Sequence, residues 1–477
     1  MVRLPGLPRP SVHAIDPEET AMTTTSAPTF TGTLLTPGSP GYDDARRIWN
    51  GAIDRHPALI ARCRSSADVA AALELARRHD LAVAVRGGGH SIPGWSVCDG
   101  GLVIDLTEMK GIRIDPGTRT AVVQPGVTWG EFDSAAQQHG LATPGGEISH
   151  TGVAGLTLGG GIGWLSRVHG LTCDNLLAVE LVTATGDVVH ADDTTDPDLM
   201  WGLRGGGGNF GVVTSFTYRL HPVGPVPGGV VFFPGERTPE VLRLYRDLGA
   251  VAPRELSLVA VQVTAPPAPF VPEELRGRPV VGLSAAWFGD PEDGDRMLSP
   301  IQTALGRPAI DLLGVLPYCA IQQSVDASAP WGTRAHVKSD FLDELDDAAL
   351  DDIAGHAAQR NHPMSHVLVR RLGGAISDVS ADATAFAHRS AAHMTTIVGV
   401  WDGGADPMPE VEWARATWAS TRRLARGTYV NHLEDEGAAR VREAYPAATF
   451  ERLTALKTRT DPDNVFRHNQ NVPPSAR

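Results

Sequence analysis

Three glycine-rich runs in the first half of the chain constrain what it can fold into. They are Gly87-Gly88-Gly89, Gly159-Gly160-Gly161-Ile162-Gly163 and Gly205-Gly206-Gly207-Gly208-Asn209-Phe210-Gly211. Each glycine weakens any helix or strand it interrupts. Such runs are expected where the backbone turns tightly or where it must come close to a ligand. Successive main-chain N–H groups in turn conformations form a nest for an anion, and a pyrophosphate is a fitting guest. The common nucleotide signatures do not account for the runs. A P-loop needs a Lys followed by Ser or Thr, and none follows here. Gly206-x-Gly208-x-x-Gly211 has the letters of a dinucleotide fingerprint, but a fingerprint loop leaves a strand and opens a helix. Here 198–203 reads as a helix and 212–220 as a strand, so the order is inverted.

The chain has 477 residues, enough for two to three domains at about 150 residues each and for a large core. Its 41 Lys+Arg against 55 Asp+Glu leave a net charge of −14. That balance argues against nucleic acid and anionic membranes as partners, since both need a positive face. Four cysteines (Cys63, Cys98, Cys173, Cys319) form no CxxC pair, so free thiols in a reducing cytoplasm are expected rather than a zinc site or redox motif. The histidines show no metal-ligand spacing, and no metal is expected. No apolar run reaches the ~18 residues of a membrane span. The first 30 residues have no apolar signal region. Residues 1–39 read as disordered, and Met22 offers a second translation start.

Residues 66–79 predict an amphipathic helix with Val69, Ala72, Leu73 and Ala76 inward and Ser66 as its cap. A strand at 81–85 runs into Arg86-Gly87-Gly88-Gly89-His90-Ser91. Further elements are a strand at 101–106, a hairpin at 111–124, a helix at 128–139, a hairpin over 179–190 and a strand at 212–220. The Pro/Gly-rich stretch 221–229 reads as a domain boundary. Beyond it, strands are expected at 229–233, 256–264, 279–288, 366–372 and 395–401, with helical patterns such as 341–359. This is an α+β arrangement, an antiparallel sheet with helices on one face.

His90 is the sharpest single residue. It follows a triple glycine at the exit of a strand, where an imidazole can stabilise an anion or bond to a cofactor lying over the loop. Tyr429 and Asn431 stand at i and i+2, so in a strand they share a face. A phenol of lowered pKa there could act as a base or anchor a substrate. His366, Arg370, Arg371, Tyr318, Gln322 and Gln323 are weaker candidates.

Taken together, Arg86 to Ser91, Gln124-Pro125-Gly126, Thr143-Pro144-Gly145-Gly146, His150 to Trp164, Asp174-Asn175-Leu176, Arg204 to Val213, Tyr429-Val430-Asn431 and Phe466 to Asn471 form a specific set. In order and spacing it resembles the vanillyl-alcohol-oxidase/PCMH flavoprotein superfamily over roughly residues 40–475. The nearer likeness is to its berberine-bridge-enzyme-like branch, which includes 6-hydroxy-D-nicotine oxidase and the enterocin favorskiiase. The resemblance implies a two-lobed PCMH-type FAD-binding domain from 40–222, completed by 429–477, and a substrate domain at 223–428. It implies FAD bonded to His90 and cradled by Arg86, Gly87, Gly88, Gly89 and Ser91. Pro144, Gly145, Ser149, His150 and Thr151 would follow, then Gly155, Leu158, Gly159, Gly160, Gly161, Gly163 and Trp164, and finally Val212, Val213 and Asn469. Many relatives add a second bond from a cysteine ahead of the Leu-Gly-Gly-Gly loop. Here that stretch is Glu147-Ile148-Ser149-His150, so a single link is expected. Some relatives place a catalytic carboxylate on the strand before Gly373-Gly374-Ala375, where this chain has Arg370-Arg371-Leu372. The implied activity is an oxidase acting on an alcohol, amine or activated C–H of a small metabolite, with O2 as acceptor and Tyr429 and Asn431 as catalytic residues. Alternatives are a dehydrogenase with another acceptor, an oxygenating enzyme of polyketide tailoring, or a flavin binder without turnover. A monomer or homodimer is expected.

Overall fold

A computed structural model describes residues 30–476. Their backbone forms three main sheets. In the first, Thr33–Leu35 runs antiparallel to Leu59–Arg62, which is followed by the parallel strands Leu102–Asp105 and Val83–Arg86. The helix Ser66–Arg78 covers it, burying Val69, Ala72, Leu73 and Ala76 as the 3.6-residue period requires. Its cap is Ser65 rather than Ser66, with the Ser65 hydroxyl accepting from the Asp68 N–H at 3.2 Å. Ser66 is already helical, and its hydroxyl donates to Glu180 of the second sheet.

The second sheet is antiparallel, in the order Ile112–Asp115, Thr120–Val123, Val212–Arg219, Leu176–Val182 and Val188–Asp192. Both expected hairpins are present. The helix Trp129–Gln137 packs beside it, started by a capping box in which Glu131 accepts from the Thr128 N–H at 2.7 Å.

The third sheet has nine strands, all antiparallel. Its path runs Ile310–Asp311, Val226–Pro234, Pro279–Trp287, Leu256–Thr264, His366–Arg371, His393–Trp401, Arg334–Leu342 and Ala425–Gly427, with Gly314–Leu316 paired to Val226–Pro234. Helices Thr238–Val251, Gly294–Thr303, Asp347–Ala357 and Met408–Thr421 cover one face. Leu258, Ala260, Val281 and Leu283 pack beneath them with Val241, Leu242 and Tyr245. Successive side chains alternate across a sheet. The neighbours Val259, Val261, Leu368 and Arg370 therefore point the other way, toward a cavity. The alternation of these strands is what builds that wall.

After the sheet ends, the chain returns through Ala438–Ala444 and Ala447–Thr460. Val430, Leu433, Val441, Leu453, Leu456 and Val472 join one core with Trp129, Phe216 and Tyr218. The tie is reinforced by the fully buried Lys457, which donates to the Asn209 carbonyl, the Phe466 carbonyl and Asp461 at 2.6–2.9 Å.

Three expectations need correction. Residues 341–359 are not one helix. The strand Arg334–Leu342 comes first and the helix starts at Asp347, capped by Asp346. That strand is buried on both faces, so it lacks the alternation that marks a half-exposed strand. Residues 30–39 are ordered, because Thr33–Leu35 gains a ladder with Leu59–Arg62 and buries Leu35; residues 1–29, Met22 included, lie outside the described part. Tyr429 and Asn431 do not share a strand. Tyr429 caps the short 3-10 turn Val430–His432. No helix among the described residues is long and apolar enough to cross a membrane.

Candidate active site

The glycine loops of the first two sheets and the open face of the third enclose a cavity of about 1170 Å³. That exceeds the roughly 300–1,000 Å³ of ordinary small-ligand sites, leaving room for a dinucleotide and a second molecule together.

His90 stands in its wall. The loop 87–91 leaves the strand Val83–Arg86 and runs against the segment 151–155. A Cβ on Gly88 would lie 2.4 Å from the Gly152 nitrogen, so only glycine permits that approach. The N–H groups of Gly88, Gly89, His90 and Ser91 have no protein acceptor among the described residues. Buried main-chain donors are almost always satisfied, and a row of them lining a cavity suits a phosphate oxygen. The His90 ring stacks on Trp49, with centroids 4.6 Å apart and planes 15° apart. Its Nε2 lies 3.1 Å from Nδ1 of His150. Burial, and then the neighbouring His150, push the His90 pKa down to about 3, so the imidazole is neutral at neutral pH.

Of the residues expected at the cofactor, Gly87, Gly88, Gly89, His90, Ser91, Thr151, Gly155, Leu158, Trp164, Val212, Val213 and Asn469 line the cavity, as do Tyr429 and Asn431. The others stand behind the wall. Arg86 is buried and donates to the Ala45 carbonyl. A Cβ on Gly163 would lie 1.8 Å from the Gly145 oxygen, so these two glycines serve backbone packing, with Pro144 buried alongside. Ser149 binds Asp326 through its N–H at 2.7 Å and its hydroxyl at 2.5 Å. Gly159 packs against Asn431, Gly160 against Phe386 and Gly161 against Thr172. Much of the second glycine run is therefore packing around the site. The third run contributes Gly207, Gly208 and Gly211 to the lining. Asn469 ties it to the chain end by donating to the Gly208 carbonyl at 3.1 Å, while the Oδ1 atoms of Asn469 and Asn471 are buried without partners.

Tyr429 and Asn431 meet despite lacking a shared strand. The Tyr429 oxygen accepts from Asn431 Nδ2 at 2.8 Å and from the Gly161 N–H at 3.0 Å, and Asn431 also donates to the Leu156 carbonyl. Burial outweighs these bonds and pushes the phenol well above its ordinary value. The lowered pKa that a phenolate base would need is absent.

Four contributors left little trace in the sequence. Trp49 and Trp331 flank His90 from 41 residues before and 241 after. Glu147, from the segment before Val153–Leu158, pairs with Arg370. His432 lies in ring contact with Tyr429 at 4.9 Å, and burial followed by the Arg370 charge push its pKa down to about 4. The one available signal was Arg370 itself, since a cation on an inward strand position calls for a counter-charge. Among the described residues no group of His, Cys, Asp and Glu could hold a metal.

The pattern described as "FAD binding domain" matches residues 57–192, and that described as "Berberine and berberine like" matches 428–473. The chain is 32% identical to an FAD-linked oxidoreductase of Dictyostelium discoideum over 449 residues, 93% of this chain and 95% of the relative. The chain belongs to the berberine-bridge-like FAD-linked oxidoreductases. It is also 31% identical to the (R)-6-hydroxynicotine oxidase of Paenarthrobacter nicotinovorans over 460 residues, 93% of this chain and 97% of that protein. The crystal structure of 6-hydroxy-D-nicotine oxidase from Arthrobacter nicotinovorans matches with a TM-score of 0.83 at 26% identity, covering 95% of this chain and 100% of that one. This FAD-dependent oxidoreductase shares their mixed fold, and its unpaired loop N–H groups and the orphaned Asn469 oxygen at the cavity wall suit the cofactor.

Proposed function

We propose that this oxidoreductase is an oxidase whose FAD is covalently held by His90 alone. It takes a hydride from an alcohol, amine or activated C–H of a small molecule and passes the electrons to O2, releasing hydrogen peroxide. The observation that carries the reading is the position of His90, a neutral imidazole in the cavity wall at the end of a loop of unpaired N–H groups. Bound FAD would supply the two-electron acceptor.

The chain's own residues supply the rest. The N–H groups of 88–91 hold the pyrophosphate. A neutral imidazole has the free lone pair a nucleophile needs. Nε2 of His90 faces His150 at 3.1 Å, and we assign the bond to Nδ1. None of the four cysteines lines the cavity, and Cys173 is buried with its thiol pushed up by desolvation, which supports a single link. Tyr429, protonated at neutral pH, and Asn431 position the loop 156–161 beside the reacting region. The oxidase name of the 31% identical relative supports O2 as acceptor.

We read 40–222 with 429–477 as the FAD-holding unit and 223–428 as the substrate-facing one, a division supported by sheet membership and the shared core. Free cysteines support a reducing, cytoplasmic setting for a monomer or homodimer. The test is anaerobic mixing with a panel of small alcohols and amines, followed by air. The reading expects at least one donor to bleach the flavin and air to restore it with one peroxide per flavin. Bleaching that O2 does not reverse within minutes would favour a dehydrogenase.

A further inference from the structure

Glu147 and Arg370 come from different sheets' surroundings, 223 residues apart, and meet at the cavity wall. Arg370 projects from the strand His366–Arg371, with its guanidinium 5.6 Å from the Trp164 ring centre. Its Nη2 donates to Glu147 Oε2. Both side chains are largely enclosed, at 8% and 17% exposure. Each retains one polar atom with no protein partner, Nη1 on Arg370 and Oε1 on Glu147, and Nδ1 of His432 is in the same condition. Buried polar atoms in native proteins are nearly always satisfied. These three orphans, grouped around the Glu147–Arg370 pair at the cavity wall, call for a ligand.

The charges say which kind. Arg370 is already balanced by Glu147, and His432 is neutral at neutral pH. A carboxylate placed here meets the charge of Glu147, and an ammonium meets that of Arg370. The spare capacity of the pair is one donor beside one acceptor. Around it the wall is aliphatic, built from Val259, Val261, Ile321, Leu368 and Met394. A sugar chain would leave most of its hydroxyls unpaired against such a wall.

We propose that Glu147 and Arg370 form the polar end of the substrate site and select a neutral, otherwise apolar molecule that offers one hydrogen-bond donor and one acceptor side by side. A hydroxyl, amide or lactam on a hydrocarbon frame has this form. The proposal rests on the flavoenzyme reading above and adds the substrate class.

Benzamide and benzoate are matched probes, equal in size and differing in charge and in the donor. FAD-loaded wild type is titrated with each, following flavin absorbance and heat of binding. Benzamide is expected to bind about ten-fold tighter, the scale of one charge-assisted hydrogen bond. In Glu147→Gln the order reverses, because the repelling carboxylate is gone and Arg370 is left uncompensated. Equal affinities, tighter benzoate or no binding of either probe to wild type overturns the proposal. So does an unchanged preference in a Glu147→Gln protein with wild-type circular dichroism. If that variant does not fold, the wild-type contrast alone decides. Protein that purifies without flavin contradicts the reading beneath instead. That shows in the absorbance before any probe is added, and the heat titration still reads the pair.

Discussion

His90 Nε2 and His150 Nδ1 face each other at 3.1 Å, and the contact holds the His90 ring at that nitrogen. A ring held by one nitrogen presents the other in a single direction. Replacing His150 by Ala removes that hold without touching the glycine loop. The expected result is a lower fraction of acid-stable flavin, by several-fold at equal expression time, with non-covalent FAD still bound. The measurement is the ratio of precipitated to released flavin.

Tyr429→Phe deletes the acceptor of the Gly161 N–H and of the Asn431 amide. Each donor left buried and unpaired costs about 1–3 kcal/mol. A lowered Tm and slower anaerobic flavin reduction are expected together. Because the buried phenol stays protonated, the variant keeps every limb of the wild-type pH profile between about pH 6 and 9. Loss of a limb would restore the phenol as a base.

Asp133 is buried and accepts from Gln322 Nε2 at 3.0 Å, and burial raises its pKa to about 7, against the lowering effect of that bond. Its folded value lies above its unfolded one, so folding takes up a proton over that interval. The associated stability is full below about pH 4 and is lost as pH rises through about 7. Asp133→Asn removes the charge that must otherwise be buried. The variant is expected to gain of order 2–4 kcal/mol relative to wild type at about pH 8 and much less at about pH 5. Thermal melts at the two pH values check it.

Gly88→Ala places a Cβ 2.4 Å from the Gly152 nitrogen, backbone that cannot swing away. The two loops must separate, and flavin content is expected to fall by more than half. Gly355, in the helix Asp347–Ala357 with open space around its Cβ position, is the matched control. There alanine is expected to stabilise by about 0.5–1 kcal/mol.

The glycine-rich first half of the chain was readable because its signals are local. Glycine runs and hairpins around Pro116-Gly117 and Gly186 each act within a few residues. The part carrying the nine-stranded sheet was less readable. The strand Arg334–Leu342 is buried on both faces and shows no period of two, so it blended with the helix that follows. Tyr429 and Asn431 come together through a 3-10 turn rather than a pleat. Glu147 finds Arg370 only because two sheets close on one another, and no pattern along the sequence encodes a contact spanning 223 residues.

The central claim is the bond at His90. Intact-mass analysis of denatured wild type and His90→Ala protein tests it most directly. The account predicts wild type heavier than its sequence by one FAD, and His90→Ala at the bare polypeptide mass. An unmodified wild-type mass, or an adduct that persists in His90→Ala, would contradict it.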